Sequence, residues 1–94
     1  MTTNEEKLHR EVATWVPAGT SAEEAKRIME GQGFRCVPGH IQSGIPWEGP
    51  VLLCRRENRV LNKIWDVRLY LKDNRVVGSD ARFAMDLFRF SHMH

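Results

Sequence analysis

The apolar positions follow two periods, a helical one up to Phe34 and an alternating one after it. Leu8, Val12, Trp15 and Val16 recur at the interval of one helix face, with Glu5, Glu6, Lys7, Arg10 and Glu11 on the other side. This predicts a first amphipathic helix over about 4–16. Pro17 disfavours helical geometry at Val16 and Gly19 frees the chain to turn, so the helix ends there. A second helix starts almost at once. Ser21 with Glu24, and Thr20 with Glu23 one residue earlier, each have the spacing of a capping box. Ala22, Ala25, Ile28 and Met29 give that helix, over about 21–32, a narrow apolar face. Gly33 suits the left-handed position just past its end, from which Phe34 folds back on Met29.

Beyond Phe34 short apolar runs alternate with polar positions and are separated by turn residues. They predict strands over about 34–38, 50–56, 63–72 and 75–83. The third is the clearest: Trp65, Val67, Leu69 and Leu71 point one way, and Asp66, Arg68, Tyr70 and Lys72 the other, so one face packs and one is wet. Asp73 and Asn74 tolerate positive φ and make "KDNR" a tight hairpin, so strands three and four are neighbours. The earlier connections, "PGHIQSGIPWEGP" and "ENRVLNK", are looser and are the loops in which binding is expected. The tail 84–94 either extends the last strand or turns helical through Ala84, Met85, Leu87 and Phe88. The expected fold is α+β, one domain over 1–94: a two-layer sandwich with an N-terminal helical hairpin on a four-stranded antiparallel meander, ααββββ.

With 94 residues, 41% apolar and 28% charged, the chain has the composition of a soluble globule with one modest core. A formal charge of +2 does not by itself identify a polyanionic partner. Its distribution is uneven: up to Trp47 there are five Lys and Arg against six Asp and Glu, and from Glu48 onward nine against six. No apolar run is long enough to span a bilayer, and "MTTNEEKLHR" lacks the order of a secretory signal. The expected location is cytoplasmic if this N-terminus is native, and periplasmic or exported if a leader was removed.

The glycines do not form a phosphate cradle, because only Gly19 precedes the second helix and two acids occupy its first turn. Ala22, Glu23 and Glu24 likewise oppose a DNA-reading helix. Cys36 and Cys54 are too few for a paired-thiolate zinc site. They allow a disulfide if their strands are neighbours, and are otherwise buried thiols. Cys36 with His40 lacks an orienting acid and an oxyanion donor set, Glu48, Asp66 and Asp80 have no spacing that pairs them, and "HMH" at His92 and His94 belongs to the tail. No catalytic set, cofactor or metal site is expected.

Gly19, Thr20, Ser21, Glu23 and Glu24, in "GTSAEEAKRIMEGQGF" leading into "CVPG" and a meander with a Trp-bearing strand, resemble small helix-helix-sheet domains. These are the SmpA/OmlA-like (BamE-type) outer-membrane assembly lipoproteins and the repeats of beta-lactamase inhibitory protein. The resemblance implies a protein-binding scaffold without catalysis, although the chain has no lipobox cysteine near its start. The expected function is a non-enzymatic protein–protein interaction domain using the wet sheet face and the Trp47 loop, with Trp47, Arg55, Arg68, Tyr70 and Arg82 as contact residues. The alternative is nucleic-acid binding through the basic C-terminal half, with Arg55, Arg56, Arg59, Lys63, Arg68, Arg75 and Arg82 on one face and Tyr70 for stacking.

Overall fold

The structure, a computed structural model, describes residues 4–42 and 47–85. Helix α1 (Asn4–Trp15) and helix α2 (Ala22–Gly31) precede strands β1 (Arg35–Ile41), β2 (Gly49–Asn58), β3 (Lys63–Lys72) and β4 (Arg75–Met85). The strands form one antiparallel sheet in the order β1-β2-β3-β4. This is the expected ααββββ arrangement. Its helical layer lies on one face, because Leu8, Val12 and Val16 of α1 and Ala25 and Met29 of α2 share a single buried cluster with Cys36, Leu52, Cys54, Val67, Leu69 and Val76.

The helix ends follow the local chemistry. Ser21 has extended backbone (φ −64°, ψ 153°) and its Oγ accepts the Glu24 N–H at 3.2 Å, so it caps α2. Thr20 does not share this role, since its hydroxyl donates to the Pro17 carbonyl at 2.6 Å. At the other end Gly33 (φ +89°) donates to the Glu30 carbonyl and Phe34 to the Met29 carbonyl, both at 3.0 Å. This pair of bonds satisfies the last carbonyls of α2 and turns the Phe34 ring into the core beside Met29.

Strand β3 has the predicted bounds, and the others run further than expected. β1 passes through Pro38 to Ile41, which an edge strand permits because the missing N–H would have faced outward. β2 extends to Asn58 and β4 to Met85, so the residues at the start of the tail continue the strand. Residues 86–94, with Leu87, Phe88, His92 and His94, and the loop residues 43–46 lie outside the described residues. The β3–β4 hairpin turns through Asp73 (φ 52°) and Asn74 (φ 64°), as their tolerance of positive φ predicts.

The two sheet edges differ. On β4 the Val76 N–H and carbonyl bond to Thr20 and Gly19 across the helix connection, Ser79 O meets His9 Nε2 at 3.0 Å, and the Phe83 N–H donates to Glu5 at 3.4 Å. Side chains of α1 and the turn after it thereby occupy that edge, which would otherwise be open to pairing.

Candidate functional site: the open sheet face

Antiparallel register brings directly opposed residues to the same face, so the side of the sheet away from the helices can be read as rows across the strands. One row is Arg35, Arg55, Asp66 and Arg82; the next is Val37, Leu53, Arg68 and Asp80; the third is Gly39, Val51, Tyr70 and Gly78. The first is charged, the second mixed and the third apolar. Together the first two line a shallow groove of about 840 Å³ along the face.

In the charged row Arg55 grips Asp66 with two bonds, Nε to Oδ1 at 2.7 Å and Nη2 to Oδ2 at 3.3 Å, and lies 3.7 Å from Glu57. The hydrogen bond and charge of Asp66 hold the Arg55 pKa above its ordinary value. In the mixed row Arg68 bonds Asp80 at 2.7 Å. Of the carboxylates named from sequence, Asp66 and Asp80 are each engaged by a guanidinium, held by two of the expected contact residues, Arg55 and Arg68, whereas Glu48 is exposed and makes no salt bridge among the described residues. Arg82 is exposed and makes no salt bridge among the described residues.

Tyr70 departs from the expected exposure. It lies on the face predicted to be wet yet is only 9% exposed, and its row partner Val51 is 1% exposed. Trp47 packs on Tyr70, with ring centroids 5.7 Å apart, and its Nε1–H donates to the carbonyl of Pro50, the residue before Val51, at 3.2 Å. A Cβ on Gly78 would make ordinary contact with the Tyr70 ring at 3.6 Å, whereas one on Gly39 would meet the Leu53 side chain at 2.9 Å, so it is Gly39 whose missing side chain leaves room, for Leu53. One end of the face is thus closed by a small second core. The Tyr70 hydroxyl is buried there with no well-formed hydrogen bond among the described residues, although the Asp80 carboxylate lies near enough to act on it. Burial first, then Asp80, raise its pKa against the opposing charge of Arg68. Trp47 remains half-buried at the rim.

Sequence reading missed Arg35, Val37 and Leu53 as members of this surface. Val37 is 51% and Leu53 38% exposed, and both stand where the helices leave the sheet uncovered. Parity within each strand marks which side chains share a face. Only the pairing register puts Arg35 opposite Arg55 and Val37 opposite Leu53.

The cysteines lie on the opposite face, beneath the helices. Cys36 and Cys54 are directly opposed in register and buried in the core as free cysteines. Their Sγ atoms are 2.6 Å apart, closer than two non-bonded sulfurs sit, so the pair has the placement that a cross-strand disulfide requires. Hydrogen bonding between them eases the first proton off Cys36 and holds that of Cys54, whose pKa burial also raises. Cys36 and His40 are four residues apart along an extended strand, about 13 Å, which is too far for proton exchange. Among the described residues no group of three or more His, Cys, Asp or Glu could hold a metal ion, and no helix is long and apolar enough to cross a membrane.

No protein-family model, curated protein or solved structure matches this chain.

Proposed function

We propose that this chain is a non-enzymatic protein-interaction domain whose contact surface is the open sheet face, bounded at one end by Trp47. The observation that carries the reading is the side-by-side exposure of Val37 and Leu53, on adjacent strands of a face the helices do not cover. Arg55 and Arg68 flank them. Aliphatic side chains ringed by guanidiniums and partly neutralised carboxylates have the composition of a protein interface, where Arg is enriched and apolar area lies inside a polar rim. The absence of catalysis is supported by the same geometry, since Asp66 and Asp80 are engaged by arginines and the two thiols lie buried on the far face.

The test compares capture from native extract by immobilised wild type, by the double variant Val37→Glu/Leu53→Glu, and by Lys7→Glu/Lys26→Glu on the helical layer. Partners held by the wild type and the helical-layer variant, but reduced about tenfold or more on the sheet-face variant, are expected. Equal capture by all three removes the open face from the function.

A further inference from the structure

The charged row is unbalanced. Arg35, Arg55 and Arg82 share it with one carboxylate, Asp66, and two of these arginines, Arg35 and Arg55, are directly opposite one another. Like charges directly opposed destabilise a sheet, so the row is under electrostatic load as it stands. Elsewhere in the groove Arg59 adds a cation, while Glu57 also lies near Arg55 and Asp80 is engaged by Arg68. Three acids are therefore distributed over two arginines, and Arg35, Arg59 and Arg82 make no salt bridge among the described residues.

We infer that the open face binds an acidic segment of a partner protein, with carboxylates placed between Arg35, Arg55 and Arg82 and an aliphatic side chain against Val37 and Leu53. This rests on the open-face reading above and specifies its partner chemistry. Planar guanidiniums bind carboxylates and phosphates alike, so the neighbouring row decides between peptide and nucleic acid. Single-stranded nucleic acid needs exposed aromatic platforms on which bases stack. Here the open stretch offers two aliphatic side chains instead, Tyr70 is 9% exposed beneath Trp47, and the half-buried Trp47 stands at the rim as one ring rather than a row of platforms.

The probes are three fluorescein-labelled molecules: a peptide with an Asp-Glu-Leu-Glu-Val core, the same peptide with Lys in place of each acid, and oligothymidylate. Fluorescence anisotropy is read for the full chain at low and raised NaCl. Two double reversals are compared, Arg35→Glu/Arg82→Glu on the open face and Lys7→Glu/Lys26→Glu on the helices. They change the net charge equally, so a difference between them reports location, and circular dichroism establishes that each is folded. The acidic peptide is expected to bind saturably, to weaken with salt, and to lose about tenfold or more in affinity with the open-face reversal but less than about twofold with the helical one. The lysine peptide is expected not to bind.

No saturable binding of the acidic peptide overturns the proposal, as does an equal loss in the two reversals. Tighter binding of oligothymidylate, lost with Arg35→Glu/Arg82→Glu, assigns the face to nucleic acid and overturns it equally. If the acidic peptide fails while Val37→Glu/Leu53→Glu still abolishes partner capture, the acidic chemistry falls and the open-face reading stands.

Discussion

Trp47 lies over Tyr70 on the side of the sheet away from the helices, ring centroids 5.7 Å apart and planes inclined by 32°. This contact divides that side into a closed end, where Val51 and Tyr70 are buried, and an open stretch where arginines and two aliphatic side chains meet solvent. The Trp47 side chain thus acts as a lid on a small second core and as one boundary of the proposed contact surface.

Removing the lid should loosen that end. Trp47→Ala uncovers the Tyr70 ring and is expected to cost about 2 kcal/mol in chemical denaturation, from lost apolar burial and aromatic contact. An unchanged midpoint would mean that Trp47 does not cover Tyr70 in solution.

Tyr70→Phe should behave in the opposite way. A buried hydroxyl with no well-formed hydrogen bond carries a desolvation cost that the nearby Asp80 carboxylate offsets only in part, so its deletion is expected to be neutral or stabilising by up to about 1 kcal/mol. The pH dependence follows from the raised pKa of Tyr70. Above the ordinary tyrosine value of about 10 the unfolded chain has lost this proton while the folded chain still holds it, so wild-type stability falls as pH rises from there. The Phe variant should lack that fall. Tyr70 is the single tyrosine of the chain, so tyrosinate absorbance titrates it alone, and an ordinary midpoint would show the hydroxyl to be solvated.

Arg56 has a structural role distinct from the open-face arginines. Its guanidinium lies 4.7 Å from the Phe34 ring centroid and 4.9 Å from that of Trp65, and its Nη1 donates to the Gln32 carbonyl at the end of α2. Arg56→Ala is expected to cost about 1–2 kcal/mol. Arg56→Lys should recover only part, because an ammonium keeps the charge but not the flat stacking or the forked donor. Full recovery by Lys in a urea titration would reduce the contact to simple charge.

Asp66→Asn separates stability from binding. Without its carboxylate the row holds three guanidiniums unopposed, so a loss of less than about 1 kcal/mol is expected at low salt and should diminish as salt is added. Affinity for the acidic peptide should rise in the same variant. A parallel loss of both would mean that Asp66 mainly positions Arg55.

The thiols give a further check on the core. Cys36 and Cys54 are 4% and 2% exposed with their Sγ atoms 2.6 Å apart, so native protein should resist an aromatic disulfide reagent, reduced protein should release two thiols once unfolded, and protein exposed to oxidant should release them only after reduction. A titre appearing only after reduction would show a cross-strand bridge.

Local chemistry written in adjacent residues was legible in the chain itself. The four-residue interval of Leu8, Val12 and Val16, the cap at Ser21, the left-handed Gly33 and the Asp73-Asn74 turn each depend on neighbours a few positions away, and each appears where expected. Alternation in β3 likewise separated packed from outward side chains. What tertiary structure decided were the relations across strands. The register set Arg35 against Arg55, made a pair of Val37 and Leu53, and placed Tyr70 between Val51 and Gly78 under Trp47. A strand's period of two assigns a side chain to a face, but its row neighbours and its cover come from residues distant in sequence, whose alignment is fixed by turn geometry and by burial of the whole face. The two faces were therefore readable from the sequence, whereas the closed end and the unbalanced arginine row exist only once the four strands are in register.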